Sequence, residues 1–137
     1  MKLLRKFPVL NLKKDAFPFQ QDAFNVIKDE EYFAIFHEQG LGKTKIAIDL
    51  MYHWLREEVV DSVLIVTKKS LIANWDNELQ IHGNMHPLVL SSNKSENFDR
   101  MSLPGYVYLC NYEAVRGNLD SFKRFLKFRK IGIILDE

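Results

Sequence analysis

Two stretches of this chain, far apart in sequence, carry residue types suited to phosphate and metal chemistry. The first is His37-Glu38-Gln39-Gly40-Leu41-Gly42-Lys43-Thr44, set between an apolar run, Tyr32 to Phe36, and an amphipathic stretch that begins Ile46-Ala47-Ile48. A strand leading into a tight turn, glycines that let backbone N–H groups wrap an anion, and a helix whose positive end faces it make a phosphate-binding loop. Lys43 adds a charge that reaches the β and γ phosphates, and the Thr44 hydroxyl suits Mg2+. The full pattern GxxxxGK[ST] has glycine where this chain has His37, so the match is partial. His37 is read as a packed or loop-lining histidine, because phosphoryl transfer needs positioning and metal rather than an extra base. Glu38 suits either the metal's water shell or a cap on backbone amides.

The second stretch is the end of the chain. Lys130 to Leu135 reads as a fully buried strand that delivers Asp136 and Glu137 to its carboxyl end. Ligands of open parallel sheets bind at the carboxyl ends of strands, so a phosphate-loop strand and an acid-tipped strand of one sheet would face a common nucleotide and Mg2+ pocket. One carboxylate would hold the metal's water shell while its neighbour orients or deprotonates the attacking water.

The elements between must position these groups. The 137 residues fit one domain, with residues 1–15 as a short extended arm and 16–137 as the domain proper. A helix is expected from Phe19 to about Asp29, a strand over Tyr32–Phe36, and a long helix from Lys43 to about Glu58 with Ile46, Ile48, Leu50, Met51, Trp54 and Leu55 mainly inside. A strand follows over Ser62–Thr67, then a helix over Ser70–Gln80 with Ser70 as its N-cap. Pro87–Leu90 reads as a strand, the polar run 91–97 as a surface loop with room for short helical turns before Pro104-Gly105, Tyr106–Cys110 as a strand, and the stretch to Arg129 as a helix or helix pair. Strands alternating with helices imply parallel βαβ units and a three-layer α/β/α sandwich.

Composition limits the alternatives. With 19 Lys and Arg against 18 Asp and Glu, nucleic-acid binding has to come from a local patch rather than a cationic whole. The single cysteine, Cys110, excludes an intramolecular disulfide, suits a reducing compartment and is expected to be a buried core thiol. The charged start Met1 to Lys6 has the look of a secretory leader, but Pro8 and Lys13-Lys14-Asp15 break the apolar run that one needs. No stretch is long enough to span a membrane, so a cytoplasmic location is expected.

Several stretches, in order, resemble the first RecA-like lobe of superfamily-two helicases, specifically the Swi/Snf-type double-stranded-DNA translocases. Phe19-Gln20 is similar to the family's aromatic-Gln motif, Glu38 to Thr44 to its acidic-x-Gly-x-Gly-Lys-Thr loop, and Ile133 to Glu137 to its acidic box. Val63 to Leu79, with Ser70-Leu71 and Asn74-Trp75-Asp76-Asn77-Glu78, resembles motif Ia in its Swi/Snf form, although the family has proline where this chain has Lys68. Val107 to Val115, a strand ending in Tyr112-Glu113, resembles the segment that follows. The likeness covers about Phe17 to Glu137.

The resemblance implies ATP and Mg2+ as cofactors. Gln20 would meet the adenine edge, Gly40, Leu41, Gly42, Lys43 and Thr44 would bind the phosphates, Thr44 and Asp136 the metal, and Lys43 and Glu137 would serve catalysis. It also implies a second RecA-like lobe in cis, carrying an arginine finger, and double-stranded DNA as the partner of the complete protein. This chain alone is then expected to be monomeric, to bind ATP weakly and to hydrolyse it hardly at all. Lys68, Lys69 and Ser70 sit where a duplex phosphate contact could form. Trp75 is read as core rather than a base-stacking ring. The basic, aromatic run Phe122–Lys130 is read as a helix docked through Phe122, Phe125 and Leu126, with a solvated basic side. Other readings are another DEAH-like motor, such as a restriction translocase subunit or an RNA helicase, and a stand-alone nucleotide-binding regulatory module.

Overall fold

The computed structural model describes residues 12–35, 42–91 and 93–137. Its centre is a parallel sheet of β1 (Ser62–Thr67), β2 (Leu88–Val89), β3 (Val107–Asn111) and β4 (Ile131–Leu135), in the order β2-β3-β1-β4. Six α-helices surround it among the described residues: α1 (Pro18–Ile27), α2 (Lys43–Arg56), α3 (Ile72–Gly83), α4 (Lys94–Ser102), α5 (Tyr112–Gly117) and α6 (Leu119–Phe128).

The layering follows from the period of two along each strand. Val63, Ile65, Val107 and Leu109 turn to one face and pack with Ile48, Met51, Tyr52 and Leu55 of α2 and Trp75 and Leu79 of α3. Leu64, Val66, Tyr108 and Cys110 turn to the other face, against Met101 of α4, Ala114 of α5 and Phe122 and Phe125 of α6. Helices on both faces make β1 buried along its whole length, which is why its sequence is apolar without alternation. The expected three-layer sandwich is therefore present. No helix among the described residues is long and apolar enough to cross a membrane.

Three expectations need correction, and a fourth resolves towards the helical turns it allowed. Of the strand expected over Tyr32–Phe36, residues 32–35 form none and Phe36 lies outside the described residues; Phe33 and Ile35 pack with Ile46 and Leu50 of α2 instead. The strand before the acidic pair is not fully buried: β4 is an edge strand among the described residues, with Ile133 45% and Leu135 65% exposed. Ser70 is no N-cap, because a 3-10 turn over Lys69–Leu71 precedes α3 and Leu71 stands at its cap. The polar run after β2 is not simply a loop. Asn93 accepts from the backbone N–H groups of Ser95 and Glu96 and opens α4, while buried Asn97 accepts from Ser91 N–H and donates to Ser91 O.

The last residues of the expected arm dock on the domain. Leu12 packs on the α2 and α3 face, and Lys13 N–H donates to the His82 carbonyl at 2.6 Å. The carbonyl of Lys14 accepts from Lys45 Nζ at 2.6 Å, and the same ammonium donates to Asp49 at 2.5 Å in a pair only 5% and 6% exposed.

Candidate functional site

The head of α2 is set by one residue. Gly42 stands at its N-cap in the left-handed region, φ 71° and ψ 41°, and a Cβ there would collide with Gln20 Nε2. Glycine meets both requirements at once, the positive φ and the close approach. Gln20 is itself buried; its Oε1 accepts from Phe17 N–H at 2.9 Å, fastening the start of α1, and its Nε2 donates to the Gly42 carbonyl at 3.3 Å. Two of the residues singled out in the sequence therefore meet, and the glutamine ties α1 to the start of α2. Lys43 follows exposed and Thr44 half-buried, on the first turn of a helix whose early N–H groups have no partner within the helix. Gly40 and Leu41, with His37 and Glu38, lie outside the described residues.

The direction of α2 decides where that head lies. Its C-terminus leads into β1, to which β4 is parallel, so α2 runs against β4. At the lower end Trp54 covers Gly132 so closely that a Cβ on the glycine would come 2.7 Å from its Cε3. Going from Trp54 back to Thr44 along the helix covers about 15 Å. Going from Gly132 forward to Asp136 along the strand covers about 13 Å in the same direction. The head of α2 and the acidic end of β4 thus reach the same end of the sheet. Among the described residues no hydrogen bond or ion pair joins Lys43 or Thr44 to Asp136 or Glu137.

Asp136 is gripped from several sides. Its N–H donates to Val66 O at 2.9 Å, and its carbonyl accepts from the Tyr112 hydroxyl at 3.1 Å. Its Oδ2 accepts from the Trp75 indole N–H at 2.8 Å and, at 3.4 Å, from the Thr67 hydroxyl. Nothing in the residue order signals the Trp75 contact. Trp75 is core, as expected, at 2% exposure, but its nitrogen is aimed at a carboxylate sixty-one positions away. Such a pairing depends on how α3 folds back against the sheet, which no local pattern encodes.

Glu137 is exposed and lines a cleft with Lys68, Lys69, Tyr112, Glu113 and Arg116. Ser70 is exposed within the 3-10 turn beside it. Burial first, and then the charges of Glu137 and Asp136, push the Tyr112 phenol above its ordinary value of 10.0. Arg116, which the sequence reading passed over, adds a third cation to this cleft; its charge four positions after Tyr112 on a short helix was the available signal.

Among the described residues no three His, Cys, Asp or Glu side chains gather into a metal-holding group. A lone carboxylate suits Mg2+, which keeps waters and leans on one or two carboxylates together with nucleotide phosphates. Asp136 supplies such a carboxylate, with Oδ1 taking no hydrogen bond among the described residues.

Elsewhere the basic run after Asn118 is a helix, α6, with Phe122 and Phe125 buried as expected, whereas Leu126 is 39% exposed. Arg129 folds back over the rings of Tyr108 and Phe125 and donates to the Met101 carbonyl, so it closes the core instead of reaching outward.

Residues 30–137 match the family model described as the SNF2-related domain. The chain is similar to the DNA repair and recombination protein RAD54-like of Gallus gallus, 27% identical over 104 residues, which covers 64% of this chain and 14% of that protein. It is also similar to the bifunctional helicase and thymine dioxygenase JBP2 of Leishmania tarentolae, 31% identical over 115 residues, covering 72% of this chain and 10% of the relative. The chain thus spans about a seventh or less of these relatives' length. Among solved structures, the Sulfolobus solfataricus SWI2/SNF2 ATPase core in complex with dsDNA superposes with a TM-score of 0.67 at 19% identity, over 94% of this chain and 33% of that one.

Proposed function

The chain belongs to the SNF2-related domain family, and on that premise we propose that it is the ATP-binding N-terminal motor lobe of an ATP-dependent double-stranded-DNA translocase of Swi/Snf type. What supports this reading is that the α2 head, shaped by Gly42 and Gln20, and the acid-tipped end of β4 lie towards the same end of the sheet when counted along the two elements.

In this reading Gly40 to Thr44 cradle the phosphates with backbone N–H groups, and Lys43 neutralises their charge. The second N–H and second lone pair of the Gln20 amide are available to an adenine edge. Thr44 and Asp136 would hold Mg2+, which would supply charge neutralisation for the nucleotide's phosphates. Glu137 holds the attacking water in line and takes its proton. Hydrolysis at a useful rate awaits a second lobe that supplies an arginine finger, a contribution of about a thousandfold or more. Lys68, Lys69 and Arg116 form the local basic surface for duplex phosphates that the balanced overall charge requires.

The test is equilibrium binding of a fluorescent ATP analogue with and without Mg2+. Binding that depends on Mg2+ and vanishes in Lys43→Ala is expected, with negligible turnover by this chain alone. An intact Lys43→Ala variant that binds as the wild type does would refute the reading. For DNA, Lys69→Ala should weaken binding evenly across sequences and lower the salt slope by about 1.

A further inference from the structure

We propose that Trp75 is a positioning residue for Asp136, its indole N–H holding one carboxylate oxygen so that the other faces the metal. The inference rests on the nucleotide and Mg2+ reading above and deepens it.

The argument begins with which contacts fix which part of the aspartate. The main chain of Asp136 is held independently of Trp75, by Val66 O and the Tyr112 hydroxyl. Among the described residues its side chain has two donors, both on Oδ2. The Thr67 hydroxyl, at 3.4 Å, lies beyond the ordinary O–H···O range, whereas the indole, at 2.8 Å, is well within reach of a strong N–H···O bond. Trp75 is therefore the principal restraint on the carboxylate's rotation. Its chemistry suits the task. An indole donates and never accepts, so it cannot compete for a cation, and it carries no charge to repel one. A donor of this kind, carried by α3 and only 2% exposed in the core, holds the carboxylate oxygen without leaving its place.

Trp75→Phe removes the donor and leaves a smaller ring in the buried site, so its packing cost is separated from the hydrogen bond by pairing it with Asp136→Ala. In the intact protein it should weaken Mg2+-dependent binding of the fluorescent ATP analogue about 10–100-fold, the usual effect of losing a partner behind a metal ligand. Binding in EDTA should stay unchanged, which a general loss of structure would not allow. A second readout needs neither metal nor nucleotide. In a double-mutant cycle of Trp75→Phe and Asp136→Ala, the unfolding constant should show a coupling of about tenfold or more. In protein labelled with 15N-tryptophan, Asp136→Ala should move one indole N–H signal upfield, a measurement that does not require the phenylalanine variant to fold. Wild-type Mg2+ dependence in Trp75→Phe, a cycle without coupling, or an indole spectrum unmoved by Asp136→Ala would each overturn the proposal. Wild-type protein that binds no nucleotide would instead refute the functional reading, while the cycle and the spectrum still judge the hydrogen bond.

Discussion

Replacing Gly42 by alanine strikes a backbone position that shapes the α2 head, and the cost can be worked from its two constraints. A residue with a Cβ pays about 1–2 kcal/mol to occupy the left-handed region that Gly42 occupies at φ 71°. The new methyl would also overlap Gln20 Nε2, forcing the amide away from the Gly42 carbonyl and forfeiting a hydrogen bond of about 1 kcal/mol. The sum is about 2–3 kcal/mol, or roughly a 30- to 150-fold rise in the unfolding constant. Urea denaturation followed by circular dichroism measures it, with an unchanged slope showing that the folded state stays compact. A second variant separates the two terms. In a Gln20→Ala background the collision is gone, so Gly42→Ala should cost only the backbone part. A Gly42→Ala variant within about 0.5 kcal/mol of wild type, or an equal cost in both backgrounds, would refute the assignment of Gln20 as the neighbour that demands glycine.

Two further outcomes follow from buried groups. Asp49→Leu should destabilise the protein by about 3–5 kcal/mol, because it strands the Lys45 ammonium in the core with only the Lys14 carbonyl, whereas Lys45→Met with Asp49→Leu should recover most of that loss in the same denaturation assay. Burial pushes the Cys110 thiol from its ordinary 9.0 up to about 12, so the unfolded chain ionises first. This contribution is intact below about pH 9 and is lost as the pH rises towards about 12. Tyr52, raised by burial from 10.0 to about 12, acts in the same direction. Denaturation at about pH 8 and about pH 10.5 should then show a smaller fall for Cys110→Ala than for wild type, and an equal fall would contradict the burial argument.

How much was legible depended on whether the signal was local. The limits of β1 follow from a continuous apolar run between polar flanks, and the start of α2 from Gly-Lys-Thr ahead of a helical period. The core role of Cys110 also needed only its apolar setting. The helix α4 was legible in principle, since Asn93 with Glu96 three positions on is a helix-start pattern, but its polar composition pointed to a loop. Burial of β4 was misjudged because an apolar strand looks the same at a sheet's edge as at its centre. The run 32–35 failed for a related reason: strand propensity describes a segment, whereas a strand exists only with a partner beside it.

Residue order alone determined the chemistry on offer: a glycine, lysine and threonine at a helix start, an acidic pair after an apolar strand, and strands alternating with helices. Only the folded chain decided which groups meet. Gln20 reaches Gly42, Trp75 reaches Asp136, and Arg116 joins Lys68 and Lys69 through contacts between segments distant in sequence. Local spacing fixes the direction of neighbours on one helix or strand, but pairings across elements depend on sheet order and helix docking, which arise from burial of the whole core.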